Sequence, residues 1–322
     1  MTDSLATTRG AEAPFALSDA ELGVLAHDAS PRDWFVLLKP RVMLLVVYTG
    51  AVGLMLAPGS MHPVLAFAAV LAIAVAGGAA GALNMWYDRD IDALMKRTAG
   101  RPIPAGRIDA ESVLGYGIIL SVASVLVMGL AANWAAAGWL AASILFYVLI
   151  YTMWLKRRTP HNIVIGGAAG AFPPLIGWVA ATGSVSLEPV ILFVIVFLWT
   201  PPHFWALSLW THGDYARAGV PMLPVVAGGR ETRRQILIYT LLLVASSLAP
   251  WALGFSGWPY GIVAALLGAW FIRHAVRVLR DPVGPDGMSL DRDRAAKKAF
   301  GYSIVYLFVL FGALAIDRLL PI

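Results

Sequence analysis

Residues 63–92 of this 322-residue chain read PVLAFAAVLAIAVAGGAAGALNMWYDRDID. Up to Tyr87 the stretch has no charged side chain, and it completes a charge-free segment of 46 residues, 42–87. A helix that spans a membrane needs about 20 apolar residues. The segment is therefore long enough for two such helices, and Pro58-Gly59-Ser60 supplies the turn between them. A polar cluster, 84–92, marks the end of the second helix.

Five further stretches of at least 18 residues contain no Asp, Glu, Lys or Arg. They are residues 112–155, 159–187, 189–213, 235–272 and 299–316. The first and fourth of these are long enough to fold back once each, at Ala132-Asn133-Trp134 and within residues 254–259. The sequence therefore predicts an all-α polytopic membrane protein with nine transmembrane helices.

The basic residues support this number of helices. Of the 24 Lys and Arg, 23 fall in the N-terminal segment and in the second, fourth, sixth and eighth connections, and only Arg318 follows the last helix. Of the 19 acidic residues, all but Glu188 and Asp317 lie on the same side. Because cytoplasmic loops carry excess Lys and Arg, we expect a cytoplasmic N-terminus, an outside C-terminus and any active site at the cytoplasmic face.

The composition excludes several classes of protein. Hydrophobic residues make up 59% of the chain and charged residues 13%, against about 25% charged in soluble domains. Soluble, disordered and nucleic-acid-binding proteins are therefore excluded despite the net charge of +5. The chain has no cysteine, so disulfides, thiolate nucleophiles and cysteine metal sites are excluded too.

Residues 1–33 contain six acidic residues, two arginines and no long apolar run. This composition fits neither a signal peptide nor a mitochondrial transit segment. We expect a mostly mobile cytoplasmic tail with a short helix near residues 18–27, followed by a single nine-helix domain, residues 34–322. A bacterial inner membrane is the simplest location.

Asn84, Asp88 and Asp92 follow one another at intervals of four residues. Each interval turns an α-helix by about 400°, so the three side chains share one face. Two carboxylates and an amide suit a hard divalent cation, whereas a calcium loop is excluded by Ala93 and Ala99 at its sixth and twelfth positions. A solvated helix end with internal ion pairs is the alternative. Asn84 lies inside the apolar stretch, which favours a functional site.

Basic residues follow this cluster closely and indicate a ligand that carries phosphate. Lys96, Arg97 and Arg101 lie in the same connection. Magnesium takes one or two carboxylates plus substrate phosphates, and Arg binds phosphate oxygens in bidentate geometry. Lys156 and Arg157 act as a topology signal, with diphosphate binding as a second candidate role. A membrane-surface substrate with phosphate suggests a lipid diphosphate.

The sixth predicted helix contains Trp199-Thr-Pro-Pro-His-Phe-Trp205 and continues to Asp214. In a regular helix His203 and Asp214 lie within about 20° of one face, with His203 about 16 Å deeper. The histidine is either a hydrogen-bonded packing residue or a ligand. Small residues at 77–81 and 166–171 predict close helix packing or room for a flat ligand.

Several of these strings resemble the intramembrane aromatic prenyltransferase superfamily. The spacing Asn84-x-x-x-Asp88-x-x-x-Asp92 resembles its first Asp-rich motif. The longer strings resemble the branch that prenylates heme, the heme O synthases. They are Asn84-Met-Trp-Tyr-Asp-Arg-Asp-Ile-Asp92, Arg97-Thr98-x-x-Arg101-Pro102, Lys156-Arg-Arg-Thr-Pro160, Pro201-Pro-His-Phe-Trp205 and Asp214-Tyr215-x-x-Ala218-Gly219-x-Pro221-Met-Leu-Pro224. The resemblance covers about residues 33–318.

The resemblance implies an enzyme that transfers a farnesyl group from farnesyl diphosphate to the 2-vinyl group of protoheme IX (heme B). The products would be heme O and pyrophosphate, and Mg²⁺ would be the cofactor. The implied partners are the lipid bilayer and the two substrates, with a downstream heme-modifying enzyme or terminal oxidase as a candidate. The resemblance also supports a multi-pass protein of the bacterial inner (plasma) membrane.

The same resemblance assigns roles to individual residues. Asn84, Asp88 and Asp92 would hold Mg²⁺, and Arg97, Arg101, Lys156 and Arg157 would bind the diphosphate. Asp214 would represent the second acidic motif, whose usual partner is replaced by Ala218. His203 is a candidate for heme contact or iron ligation and His161 a weaker one. Tyr151, Asn162 and Tyr215 complete the expected substrate-binding set.

Three other functions stay open from the sequence. The nearest is another intramembrane prenyltransferase, with a quinone or chlorophyll precursor as acceptor. A cation-coupled transporter would use Asp88, Asp92 and Asp214, but transporter sites lie near the membrane midplane. A non-catalytic heme-binding assembly partner would need the histidines but not the acidic motif.

Overall fold

The charge-free stretches form long helices in the computed structural model, which describes residues 29–284 and 287–320. The short helix expected near residues 18–27 lies outside the described residues. In chain order the described helices are α1 (Pro31–Leu37), α2 (Pro40–Leu56), α3 (Pro63–Tyr87), α4 (Arg89–Leu94), α5 (Ala110–Ala131), α6 (Trp134–Leu155), α7 (Asn162–Thr182), α8 (Leu187–Arg217), α9 (Leu223–Val226), α10 (Gly228–Ala252), α11 (Trp258–Leu279) and α12 (Arg294–Leu319).

Eight of these helices are long and apolar enough to cross a membrane: α3, α5, α6, α7, α8, α10, α11 and α12. Helix α2 alone has 17 residues. Together with α1, from which it is bent by 52°, it makes a ninth candidate span. The all-helical polytopic fold is therefore confirmed, with eight spans or nine when the bent pair is counted as one. The three turns expected within the long apolar stretches all fall at breaks between helices.

The first span begins earlier than the charge pattern predicts. Ser30 caps α1, and Ser30 and Asp33 form a capping box, so the helical part begins inside the tail expected for residues 1–33. The bend that follows has a local cause. Pro40 opens α2, and α1 ends before it because a residue that precedes proline is disfavoured in the right-handed α region. Lys39, between the two helices, is in the left-handed region with φ 51°.

The turn between α5 and α6 depends on Asn133. Its side-chain oxygen accepts a hydrogen bond from the Ala136 amide, which caps α6. Its amide nitrogen donates to the carbonyls of Val179 and Ala180 in α7, at 2.9 and 3.1 Å. One asparagine thus reverses the chain and attaches the turn to a neighbouring helix.

Small residues bring α2 and α7 into backbone contact. A Cβ atom added at Gly177 would lie 2.0 Å from the Gly50 carbonyl oxygen, and one added at Gly53 would lie 2.1 Å from the Pro174 oxygen. Any larger side chain would push these helices apart, as in other small-residue crossings of membrane helices. Helix α2 also packs against α3 and α12, so it contacts three helices of the bundle.

The orientation in the membrane can be tested because the natural chain has no cysteine. Ser60, between α2 and α3, and Ala227, between α9 and α10, are both exposed. With the cytoplasmic N-terminus expected from the basic residues, a membrane-impermeant maleimide should label Ser60→Cys in intact cells and Ala227→Cys only after permeabilisation. The reverse pattern would contradict the expected orientation.

Candidate active site

A cavity of about 340 Å³ lies among α2, α3, α6, α7 and α8. Its walls have two chemical characters. The polar part is lined by Lys39, Asn84, Asp92, Arg97, Arg101 and Lys156. The apolar part includes Val46, Ile73, Ile144, Val196 and Leu307, with the rings of Tyr147, Tyr151, Trp199, His203 and Phe204. One continuous space therefore joins a group of charged side chains to an apolar, aromatic interior.

Asn84 and Asp88 lie at the junction of α3 and α4 and share hydrogen bonds. The Asn84 amide donates to Asp88 Oδ2 at 2.7 Å, and Asn84 Oδ1 accepts from the Lys39 ammonium at 2.7 Å. Lys156 donates to the same Asp88 oxygen. Asp88 is fully buried, and a buried carboxylate needs this kind of compensation. The helix is interrupted at Asp88, but the expected four-residue backbone hydrogen bonds continue on both sides of it.

Asp92 lies one turn further on, in α4, and is almost completely buried. Its carboxylate forms an ion pair with Arg101, and its backbone carbonyl accepts a hydrogen bond from the Thr98 hydroxyl at 2.8 Å. The Arg97-Thr98-x-x-Arg101 string thus folds back onto the acidic motif. Arg97 and Arg101 both line the polar part of the cavity.

Two oxygen atoms bear on whether a metal ion fits here. Asp88 Oδ1 and Asp92 Oδ1 are buried and have no hydrogen-bond partner among the described residues. Within residues 29–284 and 287–320, no three His, Cys, Asp or Glu side chains form a group that could hold a metal ion. The donor set is therefore two carboxylates and the Asn84 amide, which fits Mg²⁺ only if substrate oxygens or water complete its coordination.

Arg157 is turned mainly toward Asp90, at the edge of the site. Its guanidinium donates to both Asp90 oxygens at 2.7 Å and lies 4.9 Å from the centre of the Tyr87 ring. It approaches Asp88 Oδ1 only to 3.6 Å and does not line the cavity. The paired hydrogen bonds lower the pKa of Asp90 and raise that of Arg157. Of the expected diphosphate ligands, Arg157 is therefore the one held away from the cavity.

The second acidic position has a different arrangement from the first. Asp214 pairs with Arg217 one turn later in α8 and does not line the cavity. Tyr215 is buried and does line it. Ala218 ends the helix where a second acid of the motif would stand. The described residues thus bring Tyr215, but not Asp214, to the cavity wall.

His203 lies deep in the cavity wall and is 9% exposed. Trp199 and Phe300 stack on its two faces, with ring centroids at 4.3 and 4.5 Å. Nδ1 lies 2.7 Å from the hydroxyl oxygen of Ser303 in α12. Helix α8 runs through Pro201 and Pro202 without a break, so His203 and Asp214 share one continuous helix, as expected.

Tyr151 lies in a π-helical segment, Phe146–Leu155, that forms the second half of α6. Such segments often mark functional sites. A Cβ atom added at Gly166 would lie 2.1 Å from Tyr151 Cδ2, so this glycine makes room for the tyrosine ring. Gly167 packs against Thr200, whereas Gly170 lines the cavity with nothing within 4 Å of an added Cβ. The small residues of this stretch thus allow close packing at some positions and leave open space in the cavity at others.

Asn162 and His161, at the start of α7, differ in their placement. Asn162 is fully buried, and its amide donates to the Lys156 carbonyl at 3.4 Å. It holds the loop that carries Lys156 and lies behind the cavity wall. His161 is exposed and does not line the cavity.

Sequence reasoning missed Lys39, Thr152 and Ser303. The Thr152 hydroxyl accepts a hydrogen bond from the Asn84 amide at 3.1 Å. Lys39 belongs to the basic residues of the N-terminal segment, and nothing local in the sequence indicates its contact with Asn84.

The match to known families agrees with this site. Residues 46–290 match the UbiA prenyltransferase family, and the chain belongs to it. It is a multi-pass membrane prenyltransferase. Proteins named protoheme IX farnesyltransferase are similar over the whole chain. That of Acidiphilium cryptum is 60% identical (99% of this chain, 100% of the relative), and that of Gluconacetobacter diazotrophicus is 61% identical (98% of each).

Solved structures share the fold at low identity. One comes from work on digeranylgeranylglyceryl phosphate synthase in membranes, with a TM-score of 0.71 and 19% identity over 89% of this chain and 98% of that chain. A UbiA homolog from Archaeoglobus fulgidus bound to DMAPP and Mg²⁺ has a TM-score of 0.63 and 16% identity over 87% of this chain and 99% of that chain. These likenesses confirm the fold of the helical bundle.

Gly166 and Gly170, two of the three α7 glycines that line the cavity, give a matched test of this wall. Gly166→Ala would overlap the Tyr151 ring, and overpacking should lower the free energy of unfolding by about 1–3 kcal/mol. Gly170→Ala has open space and should raise it by up to about 1 kcal/mol, because alanine favours the helix. Denaturant unfolding in detergent measures both. Equal effects would contradict the close packing at Gly166.

Proposed function

We propose that this protein transfers the farnesyl group of farnesyl diphosphate to the 2-vinyl group of protoheme IX, forming heme O and releasing pyrophosphate. The observation that carries the proposal is the single cavity that joins the charged group around Asn84 to the aromatic interior around His203. Relatives about 60% identical over the whole chain and named for this activity support the choice of substrates.

The polar end of the cavity binds the diphosphate. Arg97, Arg101 and Lys156 line it, and guanidinium groups match phosphate oxygens in pairs. Arg101 and Lys156 form ion pairs with Asp92 and Asp88. Asp88 and Asp92 would hold a divalent cation, and Arg101 and Lys156 would then bind the diphosphate, so that each buried charge keeps an opposite charge beside it. Arg157 stays paired with Asp90 and contributes its positive charge to diphosphate binding at longer range.

Mg²⁺ is the cation we propose, held by Asp88, Asp92 and Asn84. The two carboxylate oxygens without hydrogen-bond partners supply ligand positions, and a UbiA homolog bound to DMAPP and Mg²⁺ supports the metal for this family. When bound, Mg²⁺ neutralises charge on the diphosphate, which makes it a better leaving group. Two carboxylates with substrate phosphates are a usual magnesium environment.

The reaction begins when the allylic C–O bond breaks and pyrophosphate leaves with the electron pair. Arg97, Arg101 and Lys156 stabilise the charge that develops on it. The rings of Tyr147, Tyr151, Trp199 and Phe204 surround the farnesyl cation. Their faces stabilise a cation and their bulk excludes water. The vinyl group forms the new C–C bond, and one water molecule adds to the remaining cation and loses a proton.

The acceptor lies toward His203, at the deep end of the cavity. Tyr215 lines the cavity and contributes to substrate binding. Asn162 lies behind the cavity wall and holds the loop that carries Lys156. Asp214 pairs with Arg217 and does not line the cavity. The protein is assigned to a bacterial inner membrane with its N-terminus in the cytoplasm. The downstream heme-modifying enzyme or terminal oxidase, which receives heme O, is the proposed further partner.

A product assay tests this function directly. Purified protein in lipid nanodiscs, given farnesyl diphosphate, protoheme IX and Mg²⁺, should form heme O and one pyrophosphate per heme, and chelation of the metal should stop both. Omission of heme should abolish pyrophosphate release. Prenylation of a quinone or chlorophyll precursor in place of heme would establish the nearest alternative, and ion transport without any product would establish the transporter.

Neighbouring acids provide a matched pair for the metal assignment. Asp88→Asn should lower turnover at least about 100-fold with the fold intact, because the buried ligand and its charge are lost. Asp90→Asn, at an exposed carboxylate outside the cavity, should stay within a few-fold of the natural protein. Heme O formation and circular dichroism measure activity and fold. Near-normal turnover of Asp88→Asn would refute the assignment.

A further inference from the structure

Ser303 stands directly behind His203, outside the cavity, and is fully buried. Its hydroxyl oxygen is 2.7 Å from His203 Nδ1 and 2.6 Å from the carbonyl oxygen of Phe300. A hydroxyl has a single proton to donate. The carbonyl can only accept, and two oxygens at 2.6 Å without a proton between them would repel each other. The serine proton is therefore directed to Phe300.

This assignment determines which ring nitrogen of His203 carries the proton. Because the Ser303 proton is used, the serine oxygen must accept a hydrogen bond from His203 Nδ1–H. Within residues 29–284 and 287–320, the contacts given for the ring are aromatic side chains and this hydroxyl, and none is acidic. A buried and unpaired charge is costly, so the imidazole is neutral. Nε2 then has a lone pair and no proton.

Neighbouring side chains cover most of the ring. Trp199 and Phe300 stack on it, Ser303 occupies the Nδ1 edge, and Phe204, which also lines the cavity, lies perpendicular to the ring at 5.2 Å. His203 nevertheless lines the cavity, so the part that faces it is the opposite edge, which carries Nε2. The backbone carbonyl of Ser303 also accepts a hydrogen bond from Trp199 Nε1 at 2.7 Å. The same residue thus orients both the imidazole and one of the rings stacked on it.

We infer that Ser303 is a positioning residue that holds His203 in the Nδ1–H tautomer, so that Nε2 binds the iron of the heme acceptor. Histidine ligands of metals commonly donate their other N–H to an oxygen, and this hydrogen bond sets the tautomer and the ring orientation. Iron ligation would hold the porphyrin at a defined depth and so select which part of its edge reaches the farnesyl group. The inference rests on the proposed function.

The tautomer is tested first, on the natural protein without substrate. In ¹⁵N-histidine NMR in nanodiscs, with His203→Gln to assign the signal, His203 should be protonated at Nδ1 and unprotonated at Nε2. Ser303→Ala should give a mixture of the two tautomers, and Ser303→Thr should restore the single state. A proton on Nε2 in the natural protein would overturn the inference, even if the serine variants fail to fold.

Heme binding is tested second, by optical and EPR titration with ferric protoheme IX. His203→Ala should lose the spectrum of histidine-ligated iron. Ser303→Ala should bind heme about 10–100-fold more weakly, as when other residues that hydrogen-bond to a metal ligand are replaced. Ser208 is a buried serine of α8, the helix that carries His203; its hydroxyl donates to the Trp205 carbonyl and does not line the cavity. Ser208→Ala should therefore behave as the natural protein does. Affinity for farnesyl diphosphate should not change in any of them.

Unchanged heme affinity and spectrum in Ser303→Ala would refute the positioning role, while heme O formation by the natural protein would leave the proposed function intact. Failure of the proposed function would instead be visible as no heme O from the natural protein in the product assay.

Discussion

The buried carboxylate of Asp88 sets the constraint on which the site depends. A charge removed from water is stable only if neighbours neutralise it, and loss of one partner from a buried pair costs about 3–5 kcal/mol. Here Asn84 and Lys156 hold the carboxylate, and Lys39 holds Asn84. The first span, the end of α3 and the loop before α7 must therefore meet at one point, which is also the polar end of the cavity.

Elsewhere in the bundle, small side chains make room for neighbouring helices and for large rings. Glycines allow α2 and α7 to touch through their backbones, and Gly166 admits the ring of Tyr151. The space that remains is bounded in part by rings, including Trp199 and His203, which stack on each other. Hydrophobic association between helices is weak in lipid. Close packing and the polar contacts around Asp88 therefore hold the apolar part of the cavity open next to its charged part.

The sequence predicted the helices better than it predicted the contacts of the site. Hydropathy and turn residues located the spans and the three reversals, but the first span begins at α1, since a capping serine and a proline outweigh nearby charges there. The four-residue spacing correctly grouped Asn84, Asp88 and Asp92 near one another. It did not indicate that Arg157 would turn to Asp90, or that Asp214 would pair with Arg217 away from the cavity.

The sequence by itself determined the class of the fold, the turns between the long helices and the acidic motif with its basic companions. These properties are local, because apolar length and helical periodicity act within one segment. Only the tertiary structure decided which side chains share a hydrogen bond. Lys39 reaches Asn84 across 45 residues, Lys156 reaches Asp88 across 68 and Ser303 reaches His203 across 100. Such pairs form where separate helices cross, and helix crossings depend on packing throughout the bundle.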